Sequence, residues 1–275
     1  MNDRSPIIRL PDPTGFDRSI EQFLAGFPLR SRRVDLQQVA ALSRYFARLP
    51  FENLTKLIKL GKAGIETRFR LPDEVTEDHL RWNLGGTCFS LTYFLVGILR
   101  SRGLQADPVM CHMNYGPNTH TAIILSYEDQ RYFLDPGYLV HEPLPLKNKT
   151  VQRMRSSGEG VALEFQEEMG YVLYTYRQGQ KTRRYHFEDR PVSLDIFGQR
   201  WHESFDLPLM DGICLTRNRA DEMIYIHNDY LKITRSDGIM KVRDWNKVQY
   251  IIREQFNIPL ERVEEARQIL KENRP

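Results

Sequence analysis

Cysteine, long apolar runs and excess charge are all scarce in this chain, and each shortage removes a class of protein. Its 275 residues include three cysteines, Cys88, Cys111 and Cys214. Odd in number, scattered and without C-x-x-C spacing, they exclude a disulfide scaffold and a cysteine-rich zinc site, and no metal is expected. Unpaired thiols fit a reducing compartment, so the expected location is cytoplasmic. The longest apolar stretch, 89–99, is broken by Ser90 and Thr92 and is too short to span a bilayer. The amino-terminal residues Met1 to Pro6 are polar with no apolar run behind them, which reads against a targeting segment or a membrane role. Basic residues exceed acidic ones by 39 to 36, and a net charge of +3 gives no electrostatic footprint for nucleic acid.

What remains is globular composition, with enough chain to bury a large core. The first hundred residues read as helical. Asp35 can cap a segment in which Leu36, Val39, Ala40, Leu42, Tyr45, Phe46 and Leu49 follow helical spacing, and Pro50 is expected to end it. A second helix follows Gly85-Gly86-Thr87-Cys88. It is apolar nearly all round and closes on Arg100, Arg102 and a C-terminal Gly103. Beyond it the period shortens. Thr121 to Ser126 and Arg131 to Leu134 flank Tyr127-Glu128-Asp129-Gln130 as a hairpin, and Val109 to His112, Tyr171 to Tyr176, Arg184 to Phe187 and Met223 to Ile226 read as strands. Leu231 to Thr234 and Ile239 to Val242 face each other across Asp237-Gly238. Lys147 to Gly160 reads as a surface loop, and Leu260 to Lys271, after Pro259, as a final helix.

Among the cysteines, Cys111 and Cys214 lie in apolar segments and read as buried small hydrophobes. Cys88 stands at a helix N-terminus, where partial positive charge and unpaired N–H groups favour a thiolate and can receive an oxyanion. A nucleophile of this kind needs a base, and the base needs an orienting group. Of seven histidines, His120 stands out. A two-residue turn at Glu128-Asp129 sets it opposite Gly137 and puts Asp135 two residues along on the same face, within side-chain reach. A slip of one residue would send the two side chains to opposite faces.

The order Cys88, His120, Asp135, together with Leu49-Pro50-Phe51-Glu52-Asn53-Leu54, Gly85-Gly86-Thr87-Cys88-Phe89, Thr119-His120-Thr121 and Phe133-Leu134-Asp135-Pro136-Gly137-Tyr138, resembles the arylamine N-acetyltransferase family. The resemblance is specific between about residues 49 and 138. It implies an α+β, three-lobed fold with a cysteine-protease-like catalytic core: a helical bundle over 1–103 carrying the cysteine, a β-barrel over 104–200 carrying His120 and Asp135, and an α/β lid over 201–275. It implies acetyl transfer from acetyl-CoA through a Cys88 thioester to an arylamine or arylhydrazine, in a ping-pong cycle. His120 would activate the thiol and Asp135 would orient the imidazole. Tyr138, Phe51 and Thr119 would line the substrate site and Gly137 the CoA side. Acetyl-CoA would be a co-substrate with no resident cofactor, and the chain a monomer or homodimer.

Several residues depart from the family's pattern. Leu84 stands where an arginine usually precedes Gly-Gly, and Arg81 is the candidate to replace it. Ser90 and Thr92 replace an acid or amide and an asparagine after Cys-Phe, and Leu139 and Val140 alter the segment after Tyr138. Glu52 would normally help to hold the cysteine loop. The same three catalytic residues would also serve an amide synthase that closes a macrocycle or a transglutaminase-like thiol hydrolase. An inactive homologue that only binds CoA or another small molecule is the third reading.

Overall fold

The computed structural model describes residues 8–28, 34–62, 64, 66–138, 140–156, 159–177, 179–207, 211–218 and 222–272. Leu139 and the amino-terminal Met1 to Pro6 lie outside these.

Five helices come first: α1 Asp17–Leu24, α2 Leu36–Phe46, α3 Leu54–Leu60, α4 Pro72–Trp82 and α5 Cys88–Ser101. α2 opens on a capping box, in which Asp35 accepts the Gln38 N–H and the Gln38 side chain accepts the Asp35 N–H. It stops at Phe46, before Pro50, and the chain turns through Arg48 and Leu49 with Leu49 still in the core. α5 is buried from Cys88 through Leu99 and ends on Gly103 at φ +77°, where the Leu104 N–H reaches back to the Leu99 carbonyl. Its apolar faces pack against α1, α2 and the strands that follow.

Two antiparallel sheets follow. The larger comprises β2 Gln105–Met113, β3 Gly116–Tyr127, β4 Gln130–Asp135, β5 Val140–Pro145, β6 Gln152–Ser156, β7 Glu159–Gln166, β8 Gly170–Arg177 and β9 Gln180–Phe187. Its order, β5-β4-β3-β2-β9-β8-β7-β6, brings the edge strands β5 and β6 near each other, so the sheet is a nearly closed eight-stranded barrel. The expected loop at 147–160 is corrected here, since β6 and the start of β7 fall within it. Met154 is the buried apolar residue of β6, and exposed Arg153 and Arg155 alternate with it, a charged pattern suited to an edge strand but too sparse to read as one.

After α6 (Leu194–Glu203) the smaller sheet is built from β10 Cys214–Asn218, β11 Glu222–His227, β12 Tyr230–Arg235 and β13 Ile239–Arg243, followed by α7 Trp245–Ile251 and α8 Leu260–Glu272. The last hairpin turns on Ser236 and Asp237, one residue earlier than expected, because Arg235 and Gly238 exchange the closing bonds. A short strand from the helical first part of the chain, β1 (Phe51–Glu52), joins the edge of this sheet, pairing Phe51 with Thr216 and Glu52 with Leu215. α3 packs with α8 over one apolar cluster of this sheet, containing Leu54, Leu57, Ile224 and Val263. Among the described residues no helix is long and apolar enough to cross a membrane.

Candidate active site

Cys88 is the first residue of α5, after Thr87 in extended conformation as its N-cap. Thr87 makes no side-chain cap bond, so its hydroxyl takes up none of the first-turn N–H groups of α5. The loop before it is clamped against β1. The Gly86 N–H donates to the Pro50 carbonyl at 3.3 Å, and the Glu52 N–H donates to the Gly86 carbonyl at 3.0 Å. A side chain at Gly85 would collide with the Pro50 carbonyl oxygen, so the close approach requires glycine. Segments 49–54 and 85–88, far apart in sequence, are therefore one paired unit. Asn53 ties this unit to the smaller sheet. Its amide donates to the Gly212 carbonyl at 2.7 Å, and its side-chain oxygen accepts the Cys214 N–H at 2.7 Å.

The arginine that holds this loop is Arg70. Its Nε donates to the Gly85 carbonyl at 3.1 Å and its guanidinium pairs with Asp78 of α4. Arg81, the expected replacement, lies instead over the Trp82 ring at 4.5 Å. Glu52 is fully buried beside this group and accepts both the N–H and the hydroxyl of Thr55, at 3.0 and 2.8 Å. Burial pushes its carboxyl above the usual range, against the pull of Arg70. Ser90 donates to the Thr87 carbonyl at 3.1 Å, bracing the same turn, and Thr92 donates to the Thr121 carbonyl of β3 at 3.4 Å.

The His120 side of the site is set by strand register. β3 and β4 pair Tyr127 with Gln130 and Ile123 with Leu134, the register expected from a Glu128-Asp129 turn. His120 Nε2 meets Asp135 Oδ2 at 2.7 Å, and both side chains are buried. Asp135 Oδ2 also accepts the Tyr185 hydroxyl from β9, and Oδ1 accepts the Tyr138 N–H at 2.8 Å. With Nε2 committed to Asp135, Nδ1 is the nitrogen left for Cys88, with which the imidazole also bonds. Burial acts to lower the His120 pKa, but Asp135 and then Cys88 outweigh it and hold the imidazolium up to about 10. Burial, and then Asp135, keep the Tyr185 phenol protonated well beyond its ordinary range, so it remains a donor.

The other expected residues surround this pair. Gly137 turns its bare face to Cys88 and His120, since a Cβ there would lie 2.7 Å from Cys88 Cβ and 3.2 Å from His120 Cε1. The Tyr138 ring meets His120 edge-on at 6.1 Å and Tyr185 at 5.6 Å. Thr119 is buried, its hydroxyl donating to the Gly116 carbonyl at 2.9 Å. Phe51 is half-buried against the apolar cluster that contains Cys88, Phe89, Met110 and Phe205. Cys111 is fully buried, paired with His120 across β2 and β3, and burial with Asp135 and Cys88 holds its thiol well above its ordinary value. Cys214 is half-buried rather than fully enclosed, and burial pushes its thiol up to about 12 against a bond from Tyr225. Neither is placed to compete as a thiolate.

A cavity of about 400 Å³ on the barrel, walled by His112, His186, Phe165 and Glu188, contains none of these residues. Among the described residues no group of three or more His, Cys, Asp or Glu is arranged to hold a metal.

Arg70, Tyr185 and Lys56 were not singled out from sequence. Arg70 and Tyr185 reach the site through contacts between distant segments, with no local spacing to mark them. Lys56, next to the Leu49–Leu54 motif, could have been noticed as one of two lysines on a short helix rich in leucine.

Residues 35–265 match the model of an N-acetyltransferase family. No curated protein matches the sequence. Among solved structures, the arylamine N-acetyltransferase of Mycobacterium abscessus superposes with a TM-score of 0.79 at 17% identity, over 96% of this chain and 98% of that one. The Salmonella typhimurium enzyme gives 0.71 at 16% identity, over 96% and 100%. A Bacillus cereus arylamine N-acetyltransferase with a Cys-His-Glu catalytic triad gives 0.67 at 20%, over 88% and 99%. With the family model covering most of its length on this fold, the chain belongs to the arylamine N-acetyltransferase family and is an N-acetyltransferase enzyme.

Proposed function

We propose that the protein moves an acetyl group from acetyl-CoA, through a thioester on Cys88, to the nitrogen of an arylamine or arylhydrazine. The observation that carries this reading is the buried His120, bonded on one side to Asp135 and on the other to Cys88. The thiolate attacks the thioester carbonyl of the donor, and free N–H groups at the start of α5 receive the oxyanion. The intermediate collapses as the carbon–sulfur bond to CoA breaks, and the imidazolium returns the proton to the departing thiolate. The vacated imidazole then takes a proton from the amine as it attacks the Cys88 thioester, and Cys88 leaves. Asp135, held by Tyr185 and the Tyr138 N–H, keeps the imidazole oriented throughout. Tyr138 supplies an aromatic wall beside His120 against which a flat acceptor can lie. In this scheme segment 1–103 brings the nucleophile, 104–200 the base and its orienter, and 201–275 buttresses β1 through Cys214.

Initial rates with acetyl-CoA and a panel of arylamines and arylhydrazines test the reading. Parallel double-reciprocal lines with acetylated product are expected. Intersecting lines, or no acetylated product with any acceptor, would contradict it.

A further inference from the structure

One buried charged side chain, packed on a ring of the cluster that holds Cys88, has no part in these steps. Lys56 projects from α3, and its Nζ donates to the carbonyl oxygen and to Oγ of Ser204, both at 2.7 Å. The ammonium lies 4.7 Å from the centroid of the Phe205 ring, and Phe205 shares an apolar cluster with Cys88. Lys59, on the same helix, shows how a buried lysine is normally satisfied. It donates to the carbonyls of Thr67 and Phe69 at 2.9 and 3.2 Å and pairs with Glu74 at 2.5 Å. Lys56 has no such carboxylate in ion-pair contact among the described residues, and two of its three N–H groups are spent on Ser204.

A cation withdrawn from water without a counter-ion is costly, and a neutral side chain could fill the same space without that cost. Burial draws its pKa down to about 8, opposed by the charges of Cys88 and Asp206. Tyr138 lies elsewhere, meeting His120 edge-on. It thus lies on the His120 side, where the acceptor amine must give up its proton, while Lys56 stands over Phe205 of the cluster that holds Cys88.

We propose that Lys56 is a specificity-determining residue for the acyl donor. The preferred donor is a CoA thioester of a short dicarboxylic acid, whose free carboxylate completes the open N–H of Lys56 while its thioester carbonyl sits at Cys88. The inference rests on the reading of Cys88 as acyl carrier. Its chemistry is the same: the bond from Cys88 sulfur to the acyl carbon forms, the bond to CoA sulfur breaks, CoA takes the proton from His120, and the distal carboxylate keeps its charge.

The test uses the full chain and compares malonyl-CoA with isovaleryl-CoA, and succinyl-CoA with 4-methylpentanoyl-CoA. In each pair a carboxylate is matched by a neutral group of the same shape. Acetyl-CoA is run alongside, and the rate of Cys88 acylation is read by intact and peptide mass spectrometry. One charge-assisted bond predicts that at least one carboxylate donor reacts about tenfold or more faster than its isostere. Lys56→Met should bring that ratio to about one, while Lys56→Arg should retain most of the preference. Equal rates within both pairs in the unmutated protein, or a ratio untouched by Lys56→Met, would overturn the proposal whatever the variant's stability. Acetylation of Cys88 without a carboxylate preference would sink this inference alone. No adduct from any thioester would sink the acyl-carrier reading as well.

Discussion

The two halves of the site are held by different means. The His120–Asp135 side is fixed by β-sheet register, through backbone bonds between β3 and β4 that a two-residue turn determines. The Cys88 side is fixed by side chains from distant segments, with Arg70 gripping the Gly85 carbonyl and Asp78 while Glu52 caps Thr55. In the first, the strand pairing persists when a side chain changes, so a substitution there disturbs chemistry and the stability of its own buried ion pair but leaves the register in place. The second is a buried polar cluster, and a substitution in it disturbs the fold together with the chemistry.

Mutations that separate these two behaviours sharpen the contrast. Cys88→Ser should lower acyl transfer by roughly 10⁴-fold or more and leave the melting curve close to that of the unmutated protein, as steady-state rates and calorimetry would show. Asp135→Asn should cost roughly 10³-fold or more in kcat with the helices and barrel intact by circular dichroism, because the imidazole loses its orientation. Arg70→Met should behave oppositely. Breaking a buried pair predicts a loss of about 3 kcal/mol in denaturant unfolding, with slower acylation of Cys88 as a consequence. If Arg70→Met left stability unchanged and reduced only kcat, the contrast between the two halves would fail.

Two smaller effects probe the His120 side. Its folded pKa, about 10, stands above the unfolded value near 6.5, so the pair's contribution to stability is fully present below about 6.5. That contribution is lost as pH rises through about 10. The stability gap between the unmutated protein and His120→Gln should therefore narrow over that interval, and a gap that widened with pH would contradict the assigned partners. Tyr185→Phe removes one of the donors to Asp135 and should cost about 1 kcal/mol of stability. It should also move the alkaline limb of the kcat profile, which a purely structural role would leave in place.

Legibility from sequence followed the same division. The hairpin register could be read from Glu128-Asp129 and the alternation around it, and it brought His120 to Asp135. The caps at Asp35 and Gly103 were legible because they use fixed local offsets. β6 was hidden because Met154 is the buried apolar residue among charged neighbours on an edge strand, and the last hairpin's turn moved by one residue because Asp-Gly preference was weaker than the pairing of the flanking strands. Arg70 and Tyr185 reach the site only through tertiary contacts, so no spacing in the chain marks them. The family motifs pointed to an arginine near Gly-Gly, and proximity in sequence favoured Arg81, but α4 turns Arg81 onto Trp82 and brings Arg70 under the loop.

The central claim is that Cys88 carries the acyl group under the control of His120 and Asp135. Its most direct test is a single turnover with isotopically labelled acetyl-CoA, followed by peptide mapping of the protein before and after an arylamine is added. The account predicts one labelled acetyl group, on Cys88, discharged to the amine, and much slower to form in Asp135→Asn. Label on no residue, on Cys111 or Cys214, or on Cys88 but never passed to an amine, would contradict it.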